Sequence, residues 1–180
     1  MLNFFSLSPL YLAILNNHTD CVEFLLNAGA VSFYSETPLQ ADRSPIFLAI
    51  RNQNEEILKA IFESVSVEEQ MLFRNSKGLT PVMFAAKNRF HTALNSLIEL
   101  NSTSINQEDN ECKTILMHVI EADPFDRRLA NRLVDEYGAD VNHVDQHGIT
   151  LLIKLVRAKK KNLVEFLVSK GALMHVFDGD

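Results

Sequence analysis

A short sequence recurs along the chain at nearly constant spacing, and this recurrence constrains the fold more than any other feature. Residues 8–14 read SPLYLAI and residues 44–50 read SPIFLAI. The hydroxyl residue that opens them returns three more times, as the series Ser8, Ser44, Thr80, Thr114 and Thr150, with spacings of 36, 36, 34 and 36 residues. A period of about 20 to 50 residues is typical of arrays of stacked structural units. The sequence therefore predicts a repeat architecture.

Each repeat presents the same order of helix signals. A serine or threonine suits the N-cap, and in the first three repeats proline follows at the first helical position. A short apolar helix comes next, then a polar break, then a second helix with apolar residues at the helical period, such as residues 22–26 and 163–167. Gly29, Gly138 and Gly171 follow the second helix, where a left-handed C-terminal residue is favoured. Each repeat is thus predicted to be a pair of helices.

This pattern resembles the ankyrin repeat, a unit of about 33 residues with a β-turn, two helices and the signature TPLHxA. The matching segments are SPLYLA, SPIFLA, TPVMFA, TILMHV and TLLIKL. The resemblance implies an all-α ankyrin-repeat solenoid of helix-turn-helix units with short β-hairpin-like connections. It covers essentially the whole chain, as one domain over residues 1–180 with repeats at approximately 4–38, 39–74, 75–108, 109–144 and 145–178.

The signature histidine of the family is absent from all five repeats. Its place is taken by Tyr11, Phe47, Met83, Met117 and Ile153. We therefore expect apolar packing to replace the local hydrogen bonds that this histidine makes in the family.

Composition narrows the class of protein. The formal net charge is −6, which disfavours a general nucleic-acid binder. No apolar run approaches the roughly 20 residues that span a bilayer, so we expect no membrane insertion. The first ten residues lack the basic segment of a secretory signal. Two isolated cysteines in 180 residues indicate reduced thiols and a cytoplasmic location.

No motif for catalysis or cofactor binding is present: nucleotide-binding glycine loops, zinc-protease and hydrolase signatures, and calcium loops are all missing from the sequence. We therefore predict no enzyme, no cofactor and no metal. The nearest approach to a metal site is His143, Asp145 and His147, whose side chains are plausible ligands. We favour a solvated hairpin tip at these positions. Cys21 is expected to be buried and inert; Cys112 is expected to be more exposed, with a pKa that Lys113 could lower.

A basic run, Arg157 to Lys161 in the sequence RAKKK, falls at the end of the last inner helix. It could be read as a localisation signal or an anion patch. Cations also suit the carboxyl end of a helix, so a solvated helix terminus is the preferred interpretation.

Members of the family bind proteins on a concave surface built from inner helices and hairpin tips. The resemblance therefore implies a protein partner, which is recognised by residues that precede or follow the repeated seven-residue segment. The candidates are Leu15, Asn16, Arg43, Arg51, Asn52, Lys77, Lys87, Asn88, Lys113 and Arg157. Many are basic, whereas the outer helices carry mainly glutamate and aspartate. This contrast indicates a groove for an acidic segment, and the alternative is ordinary solvated surface charge.

Phe33 and Tyr34 lie in the long first connection and are candidate aromatic anchors, with packing on the next repeat as the alternative. Together these features predict a non-catalytic scaffold that binds a protein partner. The alternative is a regulatory or targeting segment of a larger multidomain enzyme or channel. Residues 171–178 repeat the spacing of residues 138–145. We therefore expect either a longer array or a partner that covers the last repeat.

Overall fold

The computed structural model describes residues 8–30, 44–64, 73–100 and 105–175, and within these ranges the secondary structure is helical. An isolated antiparallel bridge between Val144 and Thr150 is the sole extended pairing of the described ranges. The helices are α1 Pro9–Leu15, α2 Thr19–Asn27, α3 Pro45–Asn52, α4 Glu55–Ser64, α5 Pro81–Lys87, α6 His91–Leu100, α7 Ile115–Glu121, α8 Arg127–Asp135, α9 Leu151–Arg157 and α10 Lys161–Ser169. The predicted all-α fold of paired helices is confirmed.

The inner helices begin where the repeated hydroxyl residues predict. Ser8, Thr80 and Thr150 accept hydrogen bonds from the amides three residues on, at 3.1, 3.2 and 3.4 Å. These bonds satisfy amides that the first turn of a helix leaves without partners. Ser44 and Thr114 also precede helices, but their hydroxyl oxygens are buried without a hydrogen-bond partner among the described residues. Three of the five predicted caps thus function as hydrogen-bonded caps.

Four of the five turns between inner and outer helices share one backbone device. Asn17, Gln53, Arg89 and Lys159 each adopt a left-handed conformation, with φ between 53° and 61°. The left-handed residue reverses the chain within two or three residues, so the second helix can start at once. The turn of the fourth pair differs, because five residues separate α7 from α8.

The glycines after the outer helices have the conformation that the sequence predicts. Gly29, Gly138 and Gly171 have φ values of 80°, 67° and 90°. The amide of Ala172 donates to the carbonyl of Leu167 at 3.0 Å, which closes the end of α10 across Gly171. Such closure needs a residue that tolerates positive φ.

The chain divides into two compact units, residues 1–101 and 102–180. In the first unit the inner helices α1, α3 and α5 pack side by side, and the outer helices α2, α4 and α6 form a second layer against them. The core between the layers is aliphatic. Phe47 and Met83, two substitutes for the family histidine, are buried in it. Phe47 meets Phe84 edge to face, with ring centroids 5.2 Å apart. Apolar packing therefore replaces the histidine here, as predicted.

In the second unit α7 packs on α8 and α9 packs on α10. Two asparagines join successive loops of this unit. Asn106 donates to the carbonyl of Gly138 at 3.2 Å and accepts from the amide of Asp140 at 2.8 Å. Asn142 repeats both bonds, to Gly171 at 3.3 Å and from Leu173 at 2.8 Å. These equivalent carboxamides fix the register of each loop on the next.

The prediction that Cys21 is buried is wrong, because its side chain is exposed. The buried residues of α2 are Val22 and Leu26, one turn apart on a single face. Successive helical residues point about 100° apart, so a neighbour of Val22 can face solvent. Adjacency to a core residue was the wrong criterion.

Candidate partner-binding surface

The ends of the inner helices in the first unit present exposed side chains at equivalent positions. Leu15, Arg51 and Lys87 are the last or next-to-last residues of α1, α3 and α5, and all three are exposed. Arg51 and Lys87 form no ion pair with any described residue of the chain. Because α1, α3 and α5 pack side by side, the three residues form a row that we call the first-unit row. Its chemistry is one apolar side chain followed by two cations.

The candidate asparagines next to the row hold the helix ends in place. Asn16 and Asn88 donate from Nδ2 to main-chain carbonyls of their own helices, at 2.8 and 2.7 Å. Asn52 instead donates to the carbonyl of Ile14 at 2.7 Å and so joins α3 to α1. Gln53 extends this link with a 3.0 Å bond to the carbonyl of Asn88. The row therefore lies on a hydrogen-bonded base formed by these carboxamides.

The remaining candidates of the first unit are distributed differently. Lys77 is exposed in the loop before α5, where its amide donates to Asn75 Oδ1 at 3.0 Å. Phe33, Tyr34 and Arg43 lie outside the described residues. Their roles stay predictions.

The basic candidate of the fourth repeat takes part in a charge network. Lys113 Nζ lies 3.1 Å from Glu111 and 3.1 Å from Glu121. Burial acts to lower the pKa of Lys113, but the two carboxylates outweigh it and raise the pKa. Lys154 also reaches Glu121, at 3.5 Å. Much of this cationic charge is thus met by carboxylates within the second unit. Arg157 is exposed at the end of α9.

Asp145 is buried, contrary to the prediction of a solvated hairpin tip. Its carboxylate lies 2.6 Å from Lys154 Nζ and accepts from the amides of His147 and Ile149 at 2.9 and 3.1 Å. Burial acts to raise the pKa of Asp145, but the Lys154 and amide hydrogen bonds outweigh it and lower the pKa to about 2. His143 is engaged elsewhere, with Nε2 3.0 Å from the carbonyl oxygen of Cys112. The three side chains do not converge on one point.

Asp145 belongs to a series of equivalent acceptor positions that the capping and helix patterns do not indicate. Asn75, Asp109 and Asp145 each precede a repeated threonine by five residues, and each accepts two loop amides. Asp109 is paired with His118, whose Nε2 lies 2.8 Å away, and both side chains are at most 10% exposed. His118 and Lys154 hold the same position, four residues after the threonine. An aspartate with a histidine or lysine nine residues later was the signal available in the sequence.

The outer helices are less uniformly acidic than the sequence contrast implies. Helix α8 carries Arg127, Arg128 and Arg132. The guanidinium of Arg127 stacks over the Phe166 ring at 5.2 Å. Arg132 pairs with Glu136 at 3.3 Å. The contrast between basic inner and acidic outer surfaces therefore holds better in the first unit than in the second.

Cys112 occupies a site where the family usually has glycine, and its φ is 54°. Partial burial raises the pKa of its thiol, as do the hydrogen bond and charge of Glu108. The expectation that Lys113 lowers this pKa is wrong, because Lys113 is engaged by Glu111 and Glu121.

The described residues contain no group of three or more histidine, cysteine or acidic side chains that could hold a metal ion. None of the described helices is long and apolar enough to cross a membrane.

Comparison with known proteins agrees with this architecture. A family model described as ankyrin repeats in three copies matches residues 2–71 and 46–145. No curated protein matches the chain. Among solved structures, one chain of the complex between the predatory endopeptidase Bd0816 from Bdellovibrio bacteriovorus and immunity protein Bd3460 is similar in fold. That match has a TM-score of 0.74 and 19% sequence identity, and it covers 94% of this chain and 84% of the other.

Proposed function

Because the chain belongs to the ankyrin-repeat family, we propose that it is a non-catalytic scaffold that binds a protein partner through the concave face of its inner helices and its hairpin tips. The observation that carries the proposal is the first-unit row of Leu15, Arg51 and Lys87. These side chains are exposed at equivalent positions on helices whose other faces form a tightly packed core. Repeat arrays recognise their partners through exposed side chains that differ from repeat to repeat on a constant framework.

The row favours a partner segment with an apolar residue followed by carboxylates. Leu15 offers an apolar contact, since 39% of its surface is exposed. Arg51 and Lys87 lack ion-pair partners among the described residues. A carboxylate of a partner protein can therefore approach them without displacing a carboxylate of the described residues. An arginine can also bind a carboxylate through two parallel hydrogen bonds. The charges of the second unit are largely engaged with one another, so the first unit carries this part of the proposal.

Two further features support the proposal. The solved structure of similar fold contains two proteins in complex, which is consistent with a protein partner for this chain too. Neither cysteine is in a disulfide, which favours the reducing cytoplasm as the place where the scaffold acts.

The proposal is tested by charge reversal in the row. A partner is first isolated by affinity purification and mass spectrometry, and its affinity for the purified chain is then measured by calorimetry. We expect Arg51→Glu with Lys87→Glu to weaken binding about tenfold or more, because two attractive contacts become repulsive. Lys59→Glu is the control for a charge reversal outside the row and is compared with each single variant, Arg51→Glu and Lys87→Glu, since Lys59 is an exposed cation on the outer helix α4. An unchanged affinity of the double variant for every isolated partner would exclude the row as the binding surface.

A further inference from the structure

A second surface of different construction lies entirely within the second unit. The turn between α7 and α8 and the turn between α9 and α10 border a cavity of about 740 Å³, which we call the turn cleft. Its floor consists of buried aliphatic side chains, among them Ile120 and Leu155. Phe125 and Leu163 are half-buried and form its apolar walls. The cleft thus offers apolar surface that is partly open to solvent.

The unusual fourth turn contributes Ala122, Asp123 and Phe125 to the lining of this cleft. The other turns reverse through a left-handed residue, whereas Ala122, the residue after α7, has extended backbone with ψ of 145°. The chain continues through Asp123 and Pro124 before Asp126 caps α8 by accepting from the Leu129 amide at 3.0 Å. Residues 122–126 therefore connect α7 to α8 without the left-handed residue that the other four turns share.

Phe125 is held at the side of the cleft by aromatic packing. Its ring lies 5.3 Å from the ring of Phe166, which is buried in α10. Arg127 covers the Phe166 ring from 5.2 Å, so the aromatic pair is fixed within the second unit. A wall that is already packed loses little conformational freedom when a ligand binds.

The rim of the cleft carries an excess of available positive charge. Lys159, Lys160 and Lys161 are consecutive and exposed, and Lys161 alone of the three has an ion pair among the described residues, with Glu165 at 3.6 Å. At the opposite side, Glu121 is already paired with Lys113 and Lys154. Asp123 is the remaining carboxylate of the lining. Lys159 and Lys160 thus stand beside an apolar floor with their charge available.

We propose that the turn cleft is a second docking site, which takes a segment of a partner protein that carries an apolar side chain flanked by carboxylates. The apolar side chain occupies the space between Phe125 and Leu163, and the carboxylates meet Lys159 and Lys160. This combination favours a peptide over a nucleic acid, since an apolar floor and the carboxylates of Glu121 and Asp123 give a phosphate backbone little to bind. The site is separate from the first-unit row and does not depend on it.

The test is a selection with a random peptide library displayed on phage, panned on the full chain carrying Arg51→Glu with Lys87→Glu, so that the first-unit row does not enrich similar peptides. We expect the enriched peptides to combine an apolar residue with neighbouring glutamate or aspartate. Synthetic versions should bind Lys159→Glu with Lys160→Glu about tenfold more weakly. Ala158→Phe should also weaken them, because Ala158 is exposed in the cleft lining and a phenyl ring there fills the space without removing a core side chain.

Controls separate this site from the first-unit row and from simple charge attraction. The enriched peptides should bind Arg51→Glu with Lys87→Glu as they bind the unaltered chain. Replacing their apolar residue by alanine should abolish binding, and polyglutamate or a single-stranded oligonucleotide of equal charge should not compete. Three results would overturn the proposal: no enrichment, binding that survives Ala158→Phe and the double lysine reversal together, or full competition by either polyanion.

Discussion

Replacing Asp145 by asparagine tests the stabilisation of the second unit by a buried carboxylate. Asparagine keeps an oxygen that can accept the amides of His147 and Ile149, as Asn75 does in the third repeat. It removes the charge that Lys154 Nζ meets at 2.6 Å. The pKa of Asp145 falls from 3.8 to about 2 in the folded chain. At about 1.4 kcal/mol per pKa unit, Asp145→Asn should lower the free energy of unfolding by about 2 kcal/mol at pH 7.

The dependence of this difference on pH identifies its cause. A carboxyl group whose pKa is lowered by folding stabilises the native state above its unfolded pKa, near 4, and this contribution disappears as pH falls through the folded pKa near 2. Urea unfolding followed by far-ultraviolet circular dichroism at several pH values measures it. The gap between Asp145→Asn and the unaltered chain should be full at pH 6 and should shrink steadily between pH 4 and pH 2.

Glu165→Gln is the matched control for the loss of one carboxylate in the same unit. Glu165 pairs with Lys161 at 3.6 Å, but both side chains are largely exposed. Exposed pairs of this kind contribute at most about 0.5 kcal/mol, so the control should be nearly neutral at every pH. A gap for Asp145→Asn that stays constant from pH 6 to pH 2, or one no larger than that of the control, would refute the electrostatic reasoning.

Three further predictions concern individual side chains elsewhere in the chain. His118→Phe should destabilise the chain by about 1–3 kcal/mol in urea unfolding, because it leaves the buried Asp109 carboxylate without its 2.8 Å partner; adding Asp109→Asn should recover part of the loss, and no recovery would contradict the pairing. Cys112→Gly should raise the unfolding free energy by about 0.5–1 kcal/mol, since glycine adopts a φ of 54° without steric cost; a lower melting temperature would argue against it. Cys21 should react with iodoacetamide faster than Cys112 at pH 8, because it is exposed whereas burial and Glu108 raise the pKa of Cys112; mass spectrometry of timed samples measures both rates.

The repeat architecture could be predicted from the sequence because its signals are local. A hydroxyl residue caps the helix that follows it, as Ser8 and Thr80 do, and glycine ends the helix before it, as Gly171 does. Each signal acts within one or two helical turns, and five copies of the pattern reinforce one another. The helix pairs follow from these signals without knowledge of any distant contact.

The parts that escaped prediction depend on contacts between segments. The sequence alone places Asp145 in a polar loop, and only the approach of Lys154 makes its burial favourable. From the sequence alone Lys113 is likewise expected to be an unpaired cation, whereas in the structure its Nζ lies 3.1 Å from Glu121. The turn cleft is lined in part by the longer fourth turn, and the dipeptide Asp123-Pro124 in the sequence does not determine how that turn packs.

The two bridging carboxamides of the second unit expose it to one form of chemical ageing. Asn106 and Asn142 each use the amide nitrogen as a donor to a glycine carbonyl and the amide oxygen as an acceptor. Deamidation would exchange that nitrogen for a second oxygen and set a carboxylate against the carbonyl of Gly138 or Gly171. Deamidation consumes one water, releases ammonia and raises the mass of the chain by about 1 Da per site, so mass spectrometry can follow this covalent change. The hydrogen bonds between these loops would be lost first at the deamidated asparagine.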